Sequence, residues 1–313
     1  MQAENIKNIC VVGAGMMGHG IGQVFASKGY NVYLYADVGL EIAVENIRSN
    51  LIRMAQKGVM KKSDIEGIMS RISTTLDLDE ATAHAHFIIE CVPENMELKQ
   101  HFFHELDRIC PSEVILTTNT SVMSISEIAS KAERRERIVG THFWNPPYLI
   151  PLVEVVKGND TSDEVMETTY QVMKMAGKHP VKVMKDVPGF LCNRLQHALW
   201  REAISIVQNG IADAAGVDDA IKTGFGLRLP VLAPFEDADM VGLDLILAIH
   251  DYVFKYLEDS HEPSPILREK VEKGELGFKS NKGFYTWTDE EIAASKNRLT
   301  DYLLDWALKQ RDK

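Results

Sequence analysis

Over its first 186 residues the chain alternates short apolar runs with helical patterns, and from there to residue 313 the pattern is helical throughout. These two observations predict an α/β domain with a mostly parallel sheet, followed by an all-helical C-terminal domain. A third concerns the opening unit. Asn8-Ile9-Cys10-Val11-Val12 leads into Gly13-Ala14-Gly15-Met16-Met17-Gly18, and a helical face of Ile21, Val24, Phe25 and Ala26 begins at once. A chain of 313 residues is long for one core, so two domains are expected, 1–186 and 187–313, divided at Lys185-Asp186-Val187-Pro188-Gly189.

Strand, GxGxxG turn and helix in that order read as the start of a Rossmann-type dinucleotide fold. The glycines allow a tight turn, close approach of backbone to a pyrophosphate, and tight packing of helix on strand. The helix start offers free N–H groups to the phosphates, so Gly13, Gly15, Met16, Met17 and Gly18 are candidate cofactor contacts. A second strand over 31–36 ends at Asp37. An acid about 20 residues past the last glycine is expected to bond the ribose hydroxyls. Asp37 would repel a 2'-phosphate, and Val38-Gly39-Leu40-Glu41 offers no cation, which favours NAD over NADP.

Residues 40–70 read as helical, broken at Lys57-Gly58 and followed by Lys61 and Lys62. Such a run is either a solvated face or a clamp for phosphates on a long substrate. Strand-like runs follow at 71–75, 87–92, 114–118 and 137–142, alternating with helical stretches at 95–110 and 124–131. Ligands of such sheets gather at the carboxyl ends of the strands. Glu94, Asn119, Ser121 and His142 lie there. A helix over 188–209 is expected to begin at Pro188 and stop at Gly210, with Asn193 in its first turns; an amphipathic helix over 299–308 closes the chain. Its default partner is its own domain, and an all-helical second domain makes a homodimer plausible.

Composition narrows the classes. A net charge of −11 disfavours nucleic acid and anionic membranes, and no apolar run is long enough to cross a bilayer. The polar start, Met-Gln-Ala-Glu-Asn-Ile-Lys, reads as having no signal or transit peptide. Of the four cysteines, Cys10 and Cys91 sit in strand-like runs and none forms a CxxC pair, which suits free thiols in a reducing, cytoplasmic setting. His84, His86, His101 and His104 have no acid or cysteine at ligand spacing and are read as solvated, with no metal site expected.

The segment Thr141-His-Phe-Trp-Asn-Pro-Pro-Tyr-Leu-Ile-Pro-Leu-Val-Glu154 reads as a proline-stiffened loop joining two strands. Glu154 is the one charged residue in an aliphatic run, and burying it alone would cost several kcal/mol, so it needs a partner. The loop delivers His142, giving a carboxylate that orients an imidazole able to move a proton. The alternative is a strand-end histidine beside a glutamate facing water.

These features together resemble the 3-hydroxyacyl-CoA dehydrogenase family over nearly the whole chain. The matching segments are residues 11–18, Pro-Glu-Asn with the following Leu-Lys (93–99), Asn-Thr-Ser (119–121), His-Phe-Trp-Asn-Pro (142–146), Leu-Val-Glu-Val-Val (152–156), Pro-Gly-Phe-Leu-Cys-Asn-Arg (188–194) and Lys-Gly-Phe-Tyr (282–285). The resemblance implies that His142 is the catalytic base and Glu154 its orienting carboxylate. It likewise implies that Ser121 and Asn193 hold the substrate oxygens, while Glu94, Lys99 and Asn145 line the nicotinamide half of an NAD site. Two segments depart from the pattern, Pro146–Pro151 and Gly224-Phe-Gly-Leu-Arg-Leu-Pro230. Both are similar to the branch containing L-carnitine and L-gulonate dehydrogenases and lambda-crystallin, whose substrates lack CoA. The substrate is therefore expected to be a short 3-hydroxyacyl-CoA contacting Lys57, or else a free hydroxy acid held by Arg228, unless Arg228 merely sits on a turn. A crystallin-like protein without turnover is a third reading, against which the intact Ser121, His142, Glu154 and Asn193 argue.

Overall fold

The computed structural model describes residues 2–311. Its sheet holds β1 (Asn8–Val12), β2 (Asn31–Tyr35), β3 (Ile72–Thr75), β4 (Phe87–Glu90), β5 (Ile115–Thr118), β6 (Ile138–Phe143), β7 (Leu152–Val156) and β8 (His179–Val183). The spatial order is β3-β2-β1-β4-β5-β6-β7-β8, with every neighbouring pair parallel except β6 and β7. From β1 the chain first builds one way and then, at β4, the other. The crevice outside the ends of β1 and β4 is therefore the switch point of a doubly wound sheet.

Seven helices accompany these strands: α1 (Met16–Ser27), α2 (Leu40–Gln56), α3 (Ile65–Met69), α4 (Leu78–Thr82), α5 (Met96–Ile109), α6 (Ile125–Ile128) and α7 (Asp163–Met175). Ile21 and Phe25 of α1, Ile47 and Leu51 of α2, Ile68 of α3 and Val172 of α7 share one apolar cluster with Val11, Val32 and Ile89 of the sheet. Ala81, Phe103, Leu106, Ile125 and Ile128 form the other, with Cys10, Ile88 and Leu116. Cover on both faces explains why the central strands are continuous apolar runs rather than alternating ones.

The chain forms two compact units. One runs to Asn193 and resumes at Leu299; the other is Arg194–Arg298. The first reaches past the 186/187 junction read from the sequence because Leu191, Cys192 and Asn193 are hydrogen-bonded to Glu154 and Ser121. The second contains most of α8 (Cys192–Gln208), then α9 (Ala214–Thr223), α10 (Pro234–Val241), α11 (Leu243–Val253) and α12 (Pro265–Glu272). The helix expected from Pro188 begins at Cys192, since Gly189 (φ 76°) and Phe190 (φ 49°) are left-handed and cannot start a right-handed helix. The unit is also not helical throughout: Lys282 bridges Gly277 and Thr286 in antiparallel fashion. The closing helix, α13 (Asp289–Arg311), is longer than the 299–308 expected, and its second half joins the sheet unit rather than the helical one. Arg53 of α2 pairs there with Asp301, and Leu304 is 1% exposed. Among the described residues no helix is long and apolar enough to cross a membrane.

Candidate active site

The turn after β1 divides its three glycines by task. Gly13 has φ 101°, and a Cβ there would lie 2.7 Å from the Cys91 carbonyl oxygen, so it permits both the turn and the close approach of the loop after β4. A Cβ on Gly18 would collide with the Gly13 carbonyl oxygen, so α1 packs directly on the turn. Above Gly15 there is open space, and no side chain caps the start of α1 there. Open backbone N–H groups over a clear surface suit a pyrophosphate. Met16 is exposed, while Met17 packs against the core.

Asp37 is exposed just beyond β2 and accepts a hydrogen bond from the Tyr35 hydroxyl (2.9 Å). It borders a cleft of about 850 Å³ shared with Val38, Leu40, Thr74, Thr75 and Arg48. Arg48 is a cation the sequence reading did not reach, since that reading stopped at residue 41. Glu41, Glu45 and Arg48 follow the turn spacing of α2, and that periodicity was the available signal. Arg48 is held by Glu66, with contacts of 2.5 and 3.1 Å.

His142 and Glu154 are direct cross-strand partners in the antiparallel β6/β7 pair. The imidazole Nδ1 lies 2.7 Å from Glu154 Oε2, which also accepts from Trp144 Nε1 at 3.2 Å. Oε1 accepts from the backbone N–H groups of Leu191 (2.9 Å) and Cys192 (3.0 Å). Glu154 is fully buried. Burial alone would push its carboxyl up, but the imidazole and the two backbone donors outweigh that and hold it below the usual carboxylate range. Nδ1 faces the carboxylate, so Nε2 is the ring nitrogen left over, and among the described residues nothing hydrogen-bonds it. Trp144 and Phe190 flank the ring at centroid distances of 5.4 and 5.8 Å. Trp144 was findable, two residues along from His142 and just past the end of β6. The Leu191 and Cys192 donors arrive from 37 and 38 residues away, with no local signal.

A second chain of contacts runs beside this pair. Asn193 Nδ2 donates to the Ser121 carbonyl (2.8 Å), and the Ser121 N–H donates to Glu94 Oε1 (2.7 Å). Thr120 Oγ1 donates to the same carboxylate, and Lys99 Nζ approaches its Oε2 at 3.4 Å. Lys99, expected to line the cofactor site, is only 1% exposed and lies behind Glu94, bonded to Glu90 Oε1 at 2.7 Å. Glu90 also accepts from Thr118 Oγ1 and the Val92 N–H, both missed in the sequence; burial nevertheless pushes its carboxyl up. Asn119 Oδ1 receives the Phe143 N–H at 2.8 Å, pinning the backbone next to His142. Asn145 is exposed and precedes a cis bond to Pro146.

The structure thus joins Ser121, Asn193, Glu94 and Lys99 in one network and His142 with Glu154 in another, and residues 191–193 touch both. It does not bring Lys57 into either: that ammonium lies 3.5 Å from both Asp301 and Asp305. Arg228, in the helical unit, is 2.9 Å from Asp237. A carboxyl held below its ordinary value of 4.5 contributes stability that is present in full above that pH and lost as pH falls through the folded-state value. Glu154→Gln, followed by urea unfolding, is expected to be less stable than wild type by about 2–4 kcal/mol near neutrality. The gap should close as the pH drops below 4.5; a gap independent of pH would contradict the ionised, hydrogen-bonded state of Glu154.

Residues 8–187 match the NAD-binding domain of 3-hydroxyacyl-CoA dehydrogenases, and residues 189–287 match the C-terminal domain of the same enzymes. A probable 3-hydroxybutyryl-CoA dehydrogenase of Bacillus subtilis is 39% identical over 91% of this chain and 99% of its own length. The crystal structure of (S)-3-hydroxybutyryl-CoA dehydrogenase PaaH1 from Ralstonia eutropha superposes with a TM-score of 0.77 at 32% identity, covering 91% of this chain and all of the other. That of 5-formyl-3-hydroxy-2-methylpyridine 4-carboxylic acid 5-dehydrogenase, an NAD+-dependent dismutase, reaches 0.88 at 30% identity, covering 96% and 97%. With both domains matched and the dinucleotide turn open at Gly15, the chain belongs to the 3-hydroxyacyl-CoA dehydrogenase family and is an NAD-dependent oxidoreductase of that type.

Proposed function

We propose that the chain interconverts a 3-hydroxyacyl group and its 3-keto form, with His142 as the proton-transfer group and Glu154 as the carboxylate that orients it. The single observation carrying this reading is the buried Glu154, whose Oε2 holds His142 Nδ1 at 2.7 Å and leaves Nε2 as the reactive nitrogen. Bound NAD supplies the hydride acceptor. Nε2 takes the hydroxyl proton as the carbonyl forms, and the carboxylate stabilises the imidazolium; in reverse the imidazolium protonates the oxygen. Ser121 and Asn193, joined to each other, are placed by the reading at the substrate oxygens. Gly13, Gly15, Met16, Met17 and Gly18 would hold the pyrophosphate and Asp37 the ribose. Glu94 and Asn145 would face the nicotinamide, with Lys99 acting from behind by fixing Glu94.

What hangs from the reacting acyl group has two readings. The relatives named for 3-hydroxybutyryl-CoA support a short-chain thioester. The likeness to a dehydrogenase named for a pyridine carboxylic acid supports a free acid. We also read the protein as a homodimer: no residue of α10 or α11 is buried, and Phe235, Leu243, Leu247 and Tyr252 are each more than 60% exposed, an apolar surface that a second copy would cover. Four free cysteines suit a reducing, cytoplasmic setting.

Three outcomes are expected. Glu154→Gln should lower kcat by about 100-fold while changing NADH affinity by less than ~3-fold, and an unchanged kcat would remove the role given to Glu154. Wild type should use NAD at least ~100-fold better than NADP in kcat/KM, with Asp37→Ser narrowing that gap; equal use by wild type would contradict the role of Asp37. Light scattering should give a dimer mass that Phe235→Asp with Leu247→Asp halves, whereas a monomeric wild type would refute the homodimer.

A further inference from the structure

Helix α13 lies beyond the matched C-terminal domain, which ends at residue 287, and its second half belongs to the sheet unit. There it meets two cations, Arg53 and Lys57, that a substrate bearing phosphates could use. Arg53 and Lys57 are one turn apart at the end of α2 and so present their charges on the same side. Asp301 Oδ1 lies 3.2 Å from Arg53 Nη2 and 3.5 Å from Lys57 Nζ, and Asp305 Oδ1 lies 3.5 Å from the same ammonium. The Arg53 guanidinium holds the Asp301 carboxyl below its ordinary range.

Ion pairs this exposed are each worth little, so charge alone would not keep a polyanion out. Packing adds to it. Residues 301, 304, 305 and 308 share one helical face. Leu304, between the two acids, is 1% exposed, and Leu308 approaches to 3.9 Å of where a Cβ on Gly58 would stand. A phosphate reaching for Arg53 and Lys57 therefore meets two carboxylates on a helix seated by a buried leucine. Lys61 and Lys62 remain exposed, where water and salt screen them.

We propose that α13 occupies Arg53 and Lys57, the cations at the end of α2 that could grip a phosphate, so that the substrate is a small free hydroxy acid rather than a CoA thioester. The inference rests on the His142 and Glu154 reading for its chemistry and concerns only what the reacting carbon chain carries. A gripped CoA tail would contribute binding energy that speeds the reaction, and a substrate without the tail would forfeit it.

The test measures NADH oxidation by the full chain with three substrates sharing one keto group: acetoacetate, acetoacetyl-CoA and the acetoacetyl thioester of N-acetylcysteamine. Acetoacetate is expected to give the highest kcat/KM, by at least ~10-fold, and the two thioesters should agree within ~3-fold because the nucleotide tail is not held. A ~100-fold or larger preference for acetoacetyl-CoA over the short thioester would overturn the inference while leaving the acid/base reading intact. Calorimetry with CoA alone gives a readout free of turnover. No affinity tighter than about 1 mM is expected for wild type, and Asp301→Asn with Asp305→Asn should tighten it; micromolar binding by wild type would also overturn the inference. Silence on all three substrates would overturn the acid/base reading, and this inference with it.

Discussion

The buried carboxylate of Glu154 is the constraint on which the rest of the site depends. An ionised group with no exposure is sustained only by partners, and four donors surround it: an imidazole, an indole and two backbone N–H groups. They come from three different pieces of folding. The antiparallel register of β6 and β7 sets His142 opposite it, the loop leaving β6 brings Trp144 alongside, and the chain after β8 must turn to aim Leu191 and Cys192 at it. That turn holds Phe190, a non-glycine residue at φ 49°, with its ring 2% exposed against His142. A side chain in that backbone region costs of order 1–3 kcal/mol, and here the packing on His142 and the hydrogen bonds to Glu154 hold it in place.

From the same turn, Asn193 reaches Ser121, whose N–H belongs to the Glu94 cluster, and Lys99 ties that cluster to the buried Glu90 at the end of β4. The end of β4 in turn presses the Cys91 carbonyl against Gly13. The His142–Glu154 pair, the Ser121–Asn193 contact and the dinucleotide turn therefore form one continuous set of contacts. A change at any member that shifts the backbone is passed to the next, because buried charges such as Lys99 and Glu90 have no water to fall back on.

Local physics made much of this legible. Gly13, Gly15 and Gly18 announce themselves because turn, open surface and close packing each need a missing Cβ within six residues. His142 and Glu154 could be paired because one loop joins their strands and a lone acid in an aliphatic run demands a partner. Elsewhere the information was not local. Pro188 looks like a helix start, but the chain spends Gly189 and Phe190 on delivering N–H groups to Glu154 and begins its helix only at Cys192. Lys99 is expected at the nicotinamide half of the NAD site, yet the acid at the end of β4 draws it inside. Lys57 reads as free because Asp301 and Asp305 lie more than 240 residues further along the chain.

The central claim is that His142 moves the proton and Glu154 holds it in position, and replacing the imidazole tests it most directly. His142→Ala, assayed with NADH and the best keto substrate, is predicted to lose ~10²–10⁴ in kcat and to regain part of it when free imidazole is added to fill the vacated space. Turnover by His142→Ala within about threefold of wild type would contradict the account, because the reaction would then have no need of the imidazole that the buried carboxylate is built to hold.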